Sequence, residues 1–429
     1  MTVVAVGIIA LFALMLLEVP IAIAMLAVGI AGFAYVVDWG PAAFMAADAA
    51  YRTVHNYNLS VIPLFILMGN LITRADISKE LFDLAYRFAG HLRGGLAIST
   101  VFAGAMFSAL CGSSLATVAT LGKVAYPSMK RYGYSDTLAA GSVASAGTLG
   151  IMIPPSVAFI VYGVMTSTDI GKLFIAGILP GLLGALLYVS AVVVATRLDP
   201  KSGPAGARST WSERFLAMRS VGAVILLFLL VIGGIYGNFF TPTEAAGVGA
   251  VGALAITLWR RKLTLRGFFE TLVETAITSA SIFIIMLGAQ IFSTFINVAG
   301  FTSFLSSAVN GMNLEPWMVI AGICVLYLVL GCLLEGMSML LLSLPIVYPL
   351  VISMGFDPIW FGVLVVTLIE IGLITPPVGM NAFVLNSVLP QLSLRTIFSG
   401  IVYFVLADVV RIGLIIAFPM IALFLPSLM

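Results

Sequence analysis

The chain has 429 residues, of which 61% are hydrophobic and 9% charged, with a mean hydropathy of +1.17. Ordinary soluble domains carry about 25% charged residues, so no soluble core hides this much apolar surface and the surrounding solvent must be a bilayer. A formal net charge of +2 excludes a nucleic-acid partner, while three scattered cysteines and two distant histidines, His55 and His91, give no disulfide framework, CxxC site or HExxH motif.

The opening segment "MTVVAVGIIALFALMLLEVP" lacks a basic n-region and a small-residue cleavage site, so it reads as a retained helix over 2–17. Apolar windows near the roughly 20 residues a span needs follow at 20–37 and 58–73. The stretch "KELFDLAYRFAGHLR", 79–93, has the pattern of an amphipathic helix lying along the interface. The next apolar stretch, 96–131, is too long for one crossing and has "LCGSSLA" at its centre. Spans follow at 135–166 and 171–196, and the one long polar stretch, 197–219, comes next. Beyond it lie spans at 219–236 and 242–259, and a second amphipathic connector, "LTLRGFFETLVE" at 263–274. A span at 276–298 precedes another long apolar stretch, 317–352, centred on "GCLLEGMS", and spans at 357–388 and 397–425 complete the series.

One offset relates the two halves. Adding 222 carries Pro20 to Pro242, Pro127 to Pro349, Gly133 to Gly355, Gly150 to Gly372 and Pro154-Pro155 to Pro376-Pro377. Helix breakers that agree at one spacing indicate a duplicated unit of about 200 residues, divided by 197–219. Lys and Arg gather at Arg74–Arg93, Lys130-Arg131, Arg197–Arg219, Arg260–Arg266 and Arg395, which places these segments in the cytoplasm. The stretches 38–51, 167–171, 237–243, 299–316 and 353–358 then fall outside. Both ends of 96–131 are cytoplasmic and both ends of 317–352 are external, so each is a re-entrant hairpin. Their tips fall near Gly112-Ser113-Ser114 and Glu335-Gly336. Five crossings and one hairpin per unit make the second copy upside down. The expected fold is therefore an all-α polytopic membrane protein of two inverted-topology repeats.

The breakers have a purpose. A bilayer tolerates non-helical backbone only where protein or a watery cavity satisfies it. Gly147, Gly150 and Pro154-Pro155 split one span, and Gly372 and Pro376-Pro377 split its counterpart. Each break frees backbone carbonyls, which suit a hard cation such as sodium, and half-helix N-termini, which suit anions. Neutral oxygen donors flank the breaks and tips: Ser113, Ser114, Thr148 and Ser156 in the first half, Ser338, Thr375 and Asn381 in the second. Charges inside apolar segments cost roughly 2.5–3.5 kcal/mol at a helix centre, which raises functional suspicion. Glu335 at a tip and Glu370 beside Gly372 are candidates to carry a proton or tune an ion site. Asp408 and Arg411 share one helix face and read as an intrahelical or subunit-facing pair. Glu18 and Glu244 read as structural residues near span ends. Lys123 either snorkels or meets an anionic substrate.

The segments "CGSSLATVATLGKVAYPSMKRYGY" (111–134), "AAGSVASAGTLGIMIPPSVAFIVYG" (139–163) and "IGLITPPVGMNAFVLNSV" (371–388) resemble the large membrane subunit of TRAP (tripartite ATP-independent periplasmic) transporters. The likeness covers nearly the whole chain. It implies sodium-coupled import of an organic acid, such as a C4-dicarboxylate or sialic acid, across the bacterial inner membrane. It implies a periplasmic substrate-binding protein and a separate small four-helix membrane subunit as partners. It also implies a transport domain that moves like an elevator against a scaffold. By this resemblance one sodium site uses Gly112, Ser113, Ser114, Gly147, Thr148, Gly150 and Pro154. The other uses Gly331, Glu335, Ser338, Gly372, Thr375, Pro376, Met380 and Asn381. Ser156 and Lys123 are the candidate substrate contacts. The implied division is scaffold at 1–75, transport domain at 76–166, scaffold and linker at 167–260, helix and arm at 261–316, transport domain at 317–390 and a scaffold helix at 391–429. Other readings are a stand-alone carboxylate carrier, coupled to sodium or to protons through Glu335 or Glu370, a channel, and an intramembrane serine protease. The protease needs a base near Ser113 or Ser114, which neither histidine supplies. Broken inverted repeats favour alternating access over a channel.

Overall fold

A computed structural model describes residues 2–312 and 314–429, the side chain of Asn310 aside. The first half runs α1 (Thr2–Leu16), α2 (Ile21–Val36), α3 (Trp39–His55), α4 (Val61–Arg74), α5 (Ile77–Ala89), α6 (Gly95–Cys111), α7 (Ser114–Arg131), α8 (Asp136–Ala146), α9 (Leu149–Met152), α10 (Val157–Thr166) and α11 (Ile170–Leu198). The second half runs α12 (Trp211–Tyr236), α13 (Pro242–Trp259), α14 (Leu265–Val298), α15 (Phe301–Gly311), α16 (Pro316–Gly331), α17 (Gly336–Ser353), α18 (Pro358–Gly372), α19 (Met380–Val388) and α20 (Leu394–Ala417). Among the described residues there is no strand. The offset of 222 holds in space as well as in sequence: it carries Ser114–Arg131 onto Gly336–Ser353 end for end.

Both long apolar stretches fold as helical hairpins, for local reasons. Gly112 adopts φ +61, a left-handed conformation that stops α6, and the Ser113 side chain caps α7 by accepting from Ala116 N at 3.3 Å. In the second hairpin, the Glu335 carboxylate caps α17 by accepting from Ser338 N at 3.1 Å. Both proline pairs break their spans. Each contains a cis peptide bond, Pro154-Pro155 and Pro376-Pro377, and Ser156 caps the restarted α10.

The hairpins enter from opposite sides. The broken span α8–α10 covers Asp136–Thr166. At its start sits the base of the first hairpin, where Tyr134 Oη accepts from Leu96 N at 3.1 Å and donates to Pro204 O at 2.9 Å. At its end sits the base of the second, where Tyr348 Oη donates to Thr166 O at 3.4 Å and Tyr162 Oη donates to Pro358 O at 2.6 Å. Two hairpins rooted at opposite ends of one span dip toward each other.

The halves differ in one respect that the repeat did not predict. The stretch 38–51, expected as an outside loop, belongs to helix α3, and α3 meets the segment leading into α4 at a bend of 56°. Its counterpart is the single 34-residue α14. The expected interfacial connector 263–274 is therefore corrected: it forms the first turns of α14. No proline interrupts the chain from Leu265 to Val298. Gly267, Thr271, Thr275 and Ser279 line one buried face at every fourth position, and Arg74 of α4 pairs with Glu270 at 3.1 Å and Glu274 at 3.5 Å. The amphipathic α5 and its repeat partner α15 each precede a hairpin, as expected.

Tyr188, Ala191 and Val192 of α11 and Ile397, Ile401 and Phe404 of α20 share one buried cluster with the first hairpin, α8 and α19. Thus α11 and α20 pack into the hairpin body, whereas α2, α4, α13 and α14 pack with one another. Ion pairs Arg87–Glu213, Arg260–Glu80 and Lys262–Asp76 join Arg74–Glu270 at the basic face.

Candidate functional site

The two hairpin tips meet across one cavity of about 380 Å³. Gly112, Ser113 and Ser114 line it from one tip, and Glu335, Gly336 and Met337 from the other. Ile151, Val157 and Ala158 flank the first break, and Ile369 and Leu373 precede the second. The remaining wall comes from α4 (Ile66, Asn70, Thr73) and α14 (Thr278, Ser281, Ile282, Ile285). Glu335 is the only charged side chain in the lining.

Each tip packs on its own break. A Cβ on Gly112 would lie 3.3 Å from Pro155 O, so the first tip sits beside an unwound carbonyl. A Cβ on Gly147 would lie 3.0 Å from Ser114 O, and one on Gly150 would strike Ser108 Cβ at 2.4 Å. In the second half Gly331 and Gly372 touch backbone to backbone: a Cβ on either would come within 2.8 Å of the other's Cα. Cys332 Sγ donates to Pro376 O at 3.1 Å. Thr375 Oγ1 donates to Ile371 O at 2.6 Å, the i−4 back-bond common for hydroxyls in membrane helices. Ser338 Oγ turns to Glu335 Oε2 at 3.3 Å. Asn381, one residue after Met380 at the start of α19, joins the two sets. Its Oδ1 accepts from Ser114 Oγ at 3.0 Å and its Nδ2 donates to Ala144 O at 3.0 Å. Each tip thus lies beside the break of its own half, and Asn381 bridges the halves.

The two candidate substrate contacts lie elsewhere. Lys123 is exposed on α7 and Ser156 is buried as the cap of α10, so neither lines the cavity. Glu244 closes a capping box with Thr241, the structural role expected of it.

Glu370 does not face the cavity. It is fully buried in an ion pair with Arg411, which also pairs with Asp408 at 2.9 Å. The pair on α20 is thus neither simply intrahelical nor subunit-facing, because a third charge from α18 completes it. Tyr188 Oη donates to Asp408 Oδ2 at 2.6 Å and shares a 3.0 Å hydrogen bond with Thr148 Oγ1. Glu370 Oε1 accepts from Met152 N at 3.1 Å. The contacts close a ring: Thr148, Tyr188, Asp408, Arg411, Glu370, Met152. It begins and ends on the one-turn helix α9 and so clamps the first break at both ends. Buried charges demand such pairing, since desolvation costs several kcal/mol per ion. The spacing of Asp408 and Arg411 was visible in sequence. The Tyr188 and Glu370 partners, more than 200 and about 40 residues away, had no local signal. Asn70 and Thr275, joined at 3.0 Å across the cavity wall, were likewise missed. Asn70, a polar residue inside the predicted span 58–73, was the available clue, whereas Thr275 falls just before the predicted span 276–298.

Among the described residues, six helices or helix groups are long and apolar enough to cross a membrane, and the bent α3–α4 pair makes a seventh. With opposed hairpins and mirrored breaks, they define a polytopic membrane permease built on an internal duplication. The family described as "Tripartite ATP-independent periplasmic transporter, DctM component" matches residues 8–421, and the chain belongs to it. It is 39% identical over 339 residues to the C4-dicarboxylate TRAP transporter large permease DctM of Pseudomonas aeruginosa, covering 79% of each chain. It is 32% identical over 385 residues to the sialic acid TRAP transporter large permease SiaM of Vibrio cholerae, covering 89% of each. Among solved structures, the YdaH transporter of Alcanivorax borkumensis superposes with a TM-score of 0.65 at 12% identity over 89% of each chain, a likeness of fold alone. These relatives are permeases, and the chain is a transport protein, not an enzyme.

Proposed function

We propose that this permease imports an organic acid of the C4-dicarboxylate or sialic acid class in symport with sodium, across the bacterial inner membrane. A periplasmic binding protein delivers the substrate, and a small four-helix subunit braces α2, α4, α13 and α14. The body of hairpins and broken spans, with α11 and α20, moves as an elevator against that brace. The observation that carries this reading is the cavity where both tips meet. Its only charged lining group is the Glu335 carboxylate, so an anionic substrate arriving alone meets like charge. Sodium held at the tips and breaks offsets that repulsion, which makes co-binding of cation and anion the favourable state. No cluster of His, Cys, Asp or Glu fit for a transition metal occurs among the described residues, while hydroxyl and carbonyl oxygens abound at the breaks.

The test is uptake of succinate and of sialic acid into proteoliposomes holding the permease, its small subunit and a cognate binding protein. An inward sodium gradient should drive uptake, and removing the binding protein should abolish it. Uptake that persists without sodium, or without the binding protein, overturns the reading in favour of the stand-alone carrier.

A further inference from the structure

A second chamber of about 380 Å³ lies between the same elements as the first. Three elements line both. From α14 the central cavity takes Thr278, Ser281, Ile282 and Ile285, and the second chamber takes Met286, Gln290, Ser293 and Thr294. The two sets follow one another along α14 but centre on faces roughly 100° apart at 3.6 residues per turn. The helix α10 gives Val157 and Ala158 to the first and Val164 and Met165 to the second, and the α3–α4 region contributes to both. The chambers are therefore neighbours along the same three elements. Thr278 and Gln290, twelve residues apart, stand about 18 Å apart at 1.5 Å per residue. Arg74 and Glu270 mark the basic face near the start of α14, so the second chamber opens toward the opposite side.

The chemistry of the chambers is opposite. The central lining carries one carboxylate, whereas the outer lining carries one guanidinium, Arg52, and no carboxylate. Among the described residues Arg52 pairs only with Asp48 one turn away, at 2.8 Å, with the Arg52 side chain 72% exposed and that of Asp48 38%. Such a pair is worth about 0–1 kcal/mol, so an incoming carboxylate displaces it at little cost. The other polar groups supply donors. Gln290 Oε1 accepts from Thr53 Oγ1 at 3.3 Å and Asn56 Oδ1 accepts from Asn58 N at 3.0 Å, which leaves both amide NH2 groups without a protein acceptor among the described residues.

We propose that the outer chamber is a collecting site for organic carboxylates, with Arg52 as its anchoring cation and Asn56 and Gln290 as donors. The proposal rests on the transport reading above, and its first test does not. Ser293→Cys, in a chain whose three native cysteines are replaced, places a thiol in the chamber at almost no change in volume. The assembled transporter in liposomes is treated from outside with an anionic and a cationic methanethiosulfonate. The anionic reagent should react about 3–10 times faster, and Arg52→Gln should bring the ratio near one while Arg52→Lys keeps it. A ratio at or below one in the parent, or one unchanged by Arg52→Gln, overturns the proposal. In the second test Arg52→Gln should raise the succinate concentration for half-maximal uptake about threefold or more and leave that for sodium unchanged. A rise in the sodium value alone would overturn it too. Failure of sodium coupling in the parent would sink the transport reading and leave the reagent test standing.

Discussion

The two halves share an architecture and divide the chemistry. At the tips Ser113 stands opposite Glu335, at the breaks Thr148 stands opposite Glu370, and on the following span Leu186 and Val189 stand opposite Asp408 and Arg411. The first half supplies neutral oxygens and the second supplies every charge in the buried ring and the central cavity. Duplication thus fixes where the backbone opens, and later substitution decides which opening carries charge. The halves also differ mechanically: the first bends between α3 and α4, where the second runs one straight α14.

The largest expected effect comes from exchanging ring positions. Arg411→Met leaves Glu370 and Asp408 buried without their cation and should cost about 3–5 kcal/mol, read as a lost or strongly lowered thermal transition in detergent. Val189→Met, at the equivalent place in the first half, should shift the same transition by less than about 1.5 kcal/mol. Gly331→Ala tests the second tip against the first, whose equivalent residue is already Ala109. Its methyl would meet Gly372 Cα at 2.8 Å, so a loss of about 1–3 kcal/mol is expected, with impaired uptake. Glu335→Gln removes the central cavity's only charge and makes the second tip neutral like the first. The sodium concentration for half-maximal uptake should rise about tenfold, equivalent to about 1.4 kcal/mol, and an unchanged value would separate Glu335 from the cation. Tyr188→Phe opens one joint of the ring and should cost about 1 kcal/mol of stability. Ser113→Ala and Thr375→Ala should weaken sodium dependence more than membrane insertion. Ser113→Ala also forfeits a helix cap worth about 1 kcal/mol.

Much of the fold was readable because it was written in breakers. Pro and Gly have fixed backbone consequences, so the offset of 222 located hairpins, breaks and inverted entry before any contact was known. The resemblance grouped Gly331 with Gly372 and Gly112 with the first break, and both groups lie in contact. What stayed hidden depends on facing rather than spacing. Lys123 and Ser156 lie on the hairpin and broken span yet are absent from the cavity lining, and no period distinguishes the two faces of a nearly uniform apolar helix. The asymmetry of α3–α4 and α14 escaped because "LTLRGFFETLVE" is amphipathic whether it lies flat or continues upward. The ring escaped because its partners meet only after four segments have packed.

The closest packing in the molecule runs across the duplication rather than within it: α14 lies on α2, α13 on α4, and Asn381 reaches Ser114. The copies are therefore intertwined, and neither is a domain in its own right. Cleavage within 205–210 of the polar connector should leave a complex that migrates as one particle, whereas either fragment made alone should fail to accumulate. An ancestral single copy would have needed a twin in the same bilayer, arranged head to tail, before fusion made the pair permanent.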